Sequence, residues 1–451
     1  MFLLEWAGPP VIGKIMSVAG SVRRPTSGHA KYPVEAPVSL IPEPSEARCR
    51  SALGWTTSSG YNPLEPPSRR RCDWEVRVED DLRDATADLI GRGSQLRIGV
   101  LASAFRATSS SYKYYWFLAL LDSLPHLDGP VLVTRIVRSM VVLAWFSVAQ
   151  YRLSLGRTDR LQQCVLDLQS QAGLAGTEPR QRLEAALDAW PERERWGQEL
   201  ARFVPGRFVG AWFPEVARLR PYDRRGARDV ARASDEAWGT PAEAPYRLFD
   251  RGGVQMIEVS PIWRRWLTDN LGLVRSHAQL HLCRYLQARN PGIPGIIDKM
   301  EPPGRRLLAA PRRWWRGLMD EGGVFATDVY TGEPLERDFD LDHFLPWSFV
   351  AHDEPWNLAP TSAAVNRSKG DRIPDIDVFL PRLARLHAEV IVTSQLPPAM
   401  ARSYSDFLRM EIAGDGADMR NAIVFRYRER LGPLAQIATG QGFPGGWRPG
   451  N

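Results

Sequence analysis

Two acid–base groups and two amides in one short stretch of this chain are of the types that cut phosphodiesters. Asp342 and His343 are adjacent. Asn357 follows His343 by fourteen residues, and Asn366 lies nine further on, all inside the 34-residue window 341–374. Hydrolysis of a phosphodiester requires an activated water and stabilisation of the charge that builds on the phosphoryl and leaving oxygens. A hard dication such as Mg²⁺ prefers oxygen ligands and keeps several waters. The Asp342 carboxylate and the Asn366 amide oxygen meet that preference. Histidine titrates at about pH 6.5, so His343 is suited to take a proton from the attacking water near neutrality. Its ring must be held to do so, and the backbone or side chain of Asn357 is a candidate holder. Arg367 and Lys369, beside Asn366, are candidates for substrate phosphate contacts. Each element alone is a weak signal; their joint occurrence in one window points to metal-dependent nuclease chemistry.

Positioning these groups requires a strand, a turn, a second strand and a helix. Residues 339–346 alternate and read as a strand with Asp340 and Asp342 on one face. Residues 353–356 are turn-like, and 356–358 begin a second strand. Residues 361–370 open on a good N-cap and close on glycine, predicting a helix of about two turns. The fold class expected is a mainly α N-terminal region followed by a small α+β unit of ββα type.

The order of these residues resembles the HNH (ββα-metal) endonuclease family, and the segment is similar to the HNH domain of RNA-guided CRISPR nucleases. There too a Tyr-Thr-Gly turn precedes the Asp-His pair, here Tyr330-Thr331-Gly332, and an asparagine, an Asn-Arg-x-Lys run (Asn366 to Lys369) and a proline (Pro374) follow. The resemblance implies His343 as general base, Asp342 and Asn366 as Mg²⁺ (or Mn²⁺) ligands, Asn357 orienting the histidine, Asp340 in a supporting position, and products with 5′-phosphate and 3′-hydroxyl ends. Many members bind a structural zinc through two CxxC pairs. This chain has none near the motif, so no structural zinc is expected. No RuvC-type carboxylate set, arginine-rich bridge helix or large recognition lobe is visible. The longer region upstream resembles the helical part of bacterial stand-alone HNH proteins, some of which serve anti-phage systems. That implies double-stranded DNA as substrate and protein partners from such a system. A non-catalytic nucleic-acid-binding subunit of a larger complex and an RNase remain alternatives.

The chain has 451 residues, enough for two or three domains, with 44% hydrophobic and 24% charged residues, a net charge of +6 and a pI near 9.2. The mild basicity permits a polyanionic partner. Cys49, Cys72, Cys164 and Cys283 lie far apart, which argues against a disulfide framework and fits a reducing cytoplasm. The opening MFLLEWAGPP lacks a basic start, predicting no export signal. The uncharged apolar run 139–151 has 13 residues, short of the roughly 20 that span a bilayer, so no membrane segment is expected and a buried helix is.

Residues 1–75, rich in Pro, Ser, Gly and Arg, read as a flexible leader. Residues 76–300 read as a helical sensing or binding region. In it, Tyr112, Tyr115, Trp116, Ala119 and Leu120 fall on one helix face. Residues 254–259 suggest a strand, and Ser260-Pro261 starts a helix expected to run to about Arg289. His277 and His281, four apart without an acidic third ligand, read as packing rather than metal binding. Residues 301–430 are the expected nuclease unit (core 322–380). A basic group there, including Arg312 and Arg313 together with Lys299 just upstream, surrounds Trp314 and Trp315 and could contact phosphate. Residues 431–451 end in a Gly-rich stretch, expected to be mobile.

Overall fold

Two hydrophobic cores follow one another along the chain, and the 341–374 window lies in the second. The computed structural model describes residues 96–450 except 106–107, 109, 203, 220–223, 305, 321–326 and 413–415. The expected flexible leader, Cys49 and Cys72 lie outside the described residues.

The first core is built around α1 (Tyr112–Ser123) and α2 (Val133–Trp145). Every residue of α1 from Tyr114 to Leu121 is buried, so the helix is enclosed all round and not, as its spacing suggested, on one face. Trp116 Nε1 donates to Tyr246 Oη (2.9 Å), which donates to the Pro205 carbonyl (2.6 Å), satisfying both polar tips inside the core. The aromatic run therefore packs as core. Residues 133–150 are long and apolar enough to cross a membrane by length and composition, but 61% of that stretch is buried within the protein.

Short antiparallel strands β1 (Val131–Leu132), β2 (Tyr246–Arg251) and β3 (Val254–Val259) form a sheet of order β1-β3-β2. The β2–β3 hairpin turns on Gly252 and Gly253, both at positive φ, the requirement of a tight primed turn. Ser260 caps α3 (Pro261–Asp269) by accepting from the Trp263 amide, as expected. The single long helix expected from there is divided: the chain breaks at Asn270, whose side chain turns back to the Trp266 carbonyl, and α4 (Leu271–Arg289) continues to Asn290. His277 and His281 pack edge-to-face on each other and against Phe105.

The second core joins α5 (Ala309–Asp320), the antiparallel pair β4 (Asp340–His343) and β5 (Leu358–Thr361), α6 (Ala363–Lys369), α7 (Ile376–Thr393), α8 (Pro398–Leu408) and α9 (Ala417–Gly440). Asp340 pairs with Thr361 and His343 with Leu358 in the β4–β5 register. Strand, strand and helix thus run in the expected order. His387 of α7 pegs β5 from behind: its Nε2 lies 3.1 Å from the Leu358 carbonyl and its Nδ1 2.7 Å from Tyr404 Oη. A carbonyl only accepts, so Nε2 carries the proton and the tyrosine donates to Nδ1.

Burial drives the His387 imidazole down to about 3. The unfolded ring still titrates near 6.5, so the unfolded state takes up the proton first as pH falls. The stability this neutral ring contributes is complete above about pH 6.5 and is lost toward pH 3, by at most about 1.4 kcal/mol per unit. Thermal midpoints measured between pH 7 and 5 are expected to fall more steeply for wild type than for His387→Gln. Parallel curves would rule the peg out as the titrating group.

The two cores are tied at Lys299 and Trp347. Lys299 is fully buried; its ammonium donates to the Pro294 (2.5 Å) and Phe349 carbonyls, so it is not available to phosphate as the sequence suggested. Trp347, four residues past His343, packs into the first core near Tyr151. The C-terminal segment differs from expectation as well. Phe443 and Trp447 are buried in the second core, the Trp447 amide donates to the Ile373 carbonyl while its carbonyl accepts from the Asp375 amide, and Arg448 pairs with Asp375 at 2.7 Å. Its glycines permit the turns, while two aromatic rings fix it.

Candidate functional site

The β4–β5 register sets the site, because it places Asp340, Asp342 and His343 on one strand against the start of α6. Asp328 holds the surrounding turns. Its Oδ1 accepts from the Tyr330 and Thr331 amides (2.8 and 3.2 Å), and its Oδ2 accepts from Thr361 Oγ1 and the Ser362 amide (2.7 and 2.9 Å). One buried carboxylate therefore fixes both the Tyr-Thr-Gly turn and the β5–α6 junction. Ser362 then caps α6 through the Val365 amide.

Asp342 points into the protein. Its Oδ1 lies 3.1 Å from Lys369 Nζ, and its Oδ2 accepts from Tyr330 Oη at 2.5 Å. Burial pushes the carboxyl above the usual carboxylate range, against the pull of the Lys369 charge and the Tyr330 hydroxyl. Lys369 also donates to the His343 carbonyl at 2.7 Å. The side chain expected to meet phosphate is thus a buried partner of Asp342. The helical repeat of α6 explains it: Asn366 and Lys369, three apart and so nearly one turn, share the face toward β4, while Arg367 is exposed.

Asn366 meets Asp340 rather than Asp342, with Nδ2 3.0 Å from Asp340 Oδ2. Arg312 of α5 reaches the other oxygen of Asp340 at 2.9 Å, while Arg313 is exposed. Asp340, expected in a supporting position, is therefore the carboxylate in direct contact with the amide. Trp315, next on α5, is fully buried beside His387.

The His343 ring alternates to the other side of the strand. Its Nε2 is 2.9 Å from Asp353 Oδ1, with exposures of 5% and 15% for the two side chains. Asp353 also accepts from the Leu307 amide (2.5 Å) and borders a cleft of about 870 Å³ between the two cores. Burial tends to raise the Asp353 carboxyl, and the His343 ring and Leu307 amide outweigh it, holding the group below the usual range. Asn357, the expected ring holder, instead clasps the loop: its Oδ1 accepts from the Leu345 amide and its Nδ2 donates to the Leu345 carbonyl, both at 2.9 Å, and its carbonyl accepts from the Phe344 amide. It fixes the backbone that follows His343 and leaves the ring to Asp353. The sequence reading missed Asp328, Tyr330 as a partner of Asp342, and Asp353. Only the Asp-x-Tyr-Thr-Gly turn pattern offered a signal for the first.

Among the described residues no three His, Cys, Asp or Glu side chains converge as metal ligands. A magnesium ion held through one or two carboxylates and its own waters needs no such triplet. The donor chemistry here fits it: Asp340 and Asn366 touch, and Asp342 stands two residues from Asp340 on the same strand face. Each carboxylate is already compensated by a cation, Asp340 by Arg312 and Asp342 by Lys369.

Residues 328–375 match the family model described as HNH endonuclease. The interval begins at the Asp328 turn and ends at Asp375, where the C-terminal clasp is made. Within the same region the chain is 39% identical over 59 residues to the CRISPR-associated endonuclease Cas9 of Listeria innocua serovar 6a, and 40% identical over 55 residues to that of Streptococcus mutans serotype c. These stretches cover 12% and 11% of this chain and 4% of each relative. The chain thus spans only a small fraction of the length of the curated proteins it matches. No solved structure matches it.

Proposed function

We propose that the protein is a metal-dependent endonuclease hydrolysing DNA phosphodiester bonds, with the HNH segment as a ββα-metal catalytic unit. The observation that carries the reading is a segment matching HNH endonucleases in which Asp340 of β4 and Asn366 of α6 touch, with His343 farther along the same strand and its ring held at one nitrogen only. Asp340, Asp342 and Asn366 would hold Mg²⁺ or Mn²⁺, which when bound supplies charge to the phosphoryl and leaving oxygens. His343 takes the proton of the attacking water. Arg313 and Arg367, both exposed, would meet substrate phosphates. The helical region 76–300 would serve as the sensing part of a cytoplasmic anti-phage effector acting on double-stranded DNA with protein partners.

Plasmid nicking with Mg²⁺ or Mn²⁺ present, and its loss on adding EDTA, is the expected result; cleavage that persists in EDTA would refute the metal-dependent reading. Labelled DNA and RNA duplexes compared in the same buffer separate a DNase from an RNase. One observation favours a second reading, a non-catalytic nucleic-acid-binding module: both β4 carboxylates are already paired with Arg312 and Lys369. Duplex binding without cleavage in either metal would support it.

A further inference from the structure

We infer that Asp353 is the positioning residue of His343, fixing the ring as the tautomer that carries its proton on Nε2 and leaves the Nδ1 lone pair for the attacking water. The inference rests on the nuclease reading above for the role of His343, but the tautomer stands on contacts alone. An ionised carboxylate only accepts hydrogen bonds, so the 2.9 Å contact from Asp353 Oδ1 requires the proton of a neutral ring to sit on Nε2. A neutral imidazole has one basic lone pair, which then lies on Nδ1. His343 makes no other side-chain hydrogen bond among the described residues, so nothing competes for that nitrogen. The carboxylate is pinned in turn, because its second oxygen accepts from the Leu307 amide. Asn357 cannot take this part, since its amide is used at both ends by Leu345.

In the step this arrangement serves, the water proton passes to Nδ1 as the oxygen–phosphorus bond forms. The bond from phosphorus to the 3′-oxygen breaks, and that oxygen takes a proton from solvent. The imidazolium that results keeps its Nε2 proton against Asp353, which stabilises the charge without itself being protonated, and afterwards returns the Nδ1 proton to water.

The test uses full-length protein labelled with ¹⁵N-histidine, with His343→Gln assigning the ring. Wild type is expected to show a protonated Nε2 and an unprotonated Nδ1. Asp353→Ala is expected to shift both signals toward a tautomer mixture and to lower kcat for plasmid nicking on the order of 10- to 100-fold with KM little changed. Asp353→Asn, which can still accept at one oxygen, is expected to fall between, and serves if the alanine variant fails to fold. Leu307→Pro removes only the second contact on Asp353 and is expected to keep the wild-type tautomer. Wild-type nitrogen shifts and kcat in the Asp353 variants, with His343→Ala inactive, would overturn the inference while sparing the nuclease reading. An active His343→Ala would instead sink that reading, and the nitrogen shifts would still decide the tautomer.

Discussion

Replacing His343 by alanine is expected to lower plasmid nicking by a factor on the order of 10² to 10⁴, the usual contribution of a positioned general base, while duplex affinity stays near wild type. Two features make this separation of rate from affinity specific. The ring is directed to Asp353 and sits 5% exposed, too enclosed to grip a polyanion. The exposed cations Arg313 and Arg367, which carry the proposed phosphate contacts, lie on helices that the substitution does not touch. Single-turnover cleavage beside a duplex titration measures both quantities. A variant that loses affinity and rate in equal proportion would mark His343 as a binding residue, and undiminished cleavage would remove it from the chemistry.

The second large effect is on stability. Lys369→Met leaves the Asp342 carboxylate and the His343 carbonyl without the ammonium that now lies 3.1 and 2.7 Å from them in a buried setting. Breaking one side of a buried ion pair costs about 3–5 kcal/mol, because the remaining charge stays desolvated. Adding Asp342→Asn to Lys369→Met removes that charge and is expected to recover part of the loss, with a coupling of roughly 1–3 kcal/mol. Urea midpoints of the two single variants and the double variant close the cycle. Strictly additive losses would show that the pair is not coupled in the folded protein.

What could be read from the sequence divides by the range over which the information is encoded. Ser260-Pro261 and the turn-like run before β5 are local signals, decided by capping and backbone restriction within a few residues, and they reappear as a helix start and a one-turn 3₁₀ segment at Pro355–Asn357. The family likeness of the 341–374 window was legible because residue types and spacing carry it. Partners were not. Whether Asn366 faces Asp340 or Asp342 depends on the rotation of α6 against β4, and nothing in a spacing of residues records that angle. Asp353 read only as part of a turn, since its meeting with His343 depends on the path of the intervening loop around Trp347. Lys369 was expected to meet substrate phosphate; the ion pair that buries it instead comes from a strand 27 residues earlier. Arg312 read as a phosphate contact, and its salt bridge to Asp340 depends on how α5 lies across the strand. The C-terminal glycines mislead for the same reason, as the rings at Phe443 and Trp447 find their pockets only in the assembled core.

That clasp has a practical consequence for anyone wishing to graft the family-matching segment onto another protein. The family-matching interval 328–375 contributes the strands and short helix, but the surfaces those elements need are supplied by His387, Tyr404, Tyr427 and, at the far end, Trp447. A transplant ending at Asp375 would carry every proposed reacting group and none of the wall behind them. A graft that keeps this wall extends at least through Arg448, and upstream to Lys299 and Leu307, which hold the Phe349 carbonyl and Asp353.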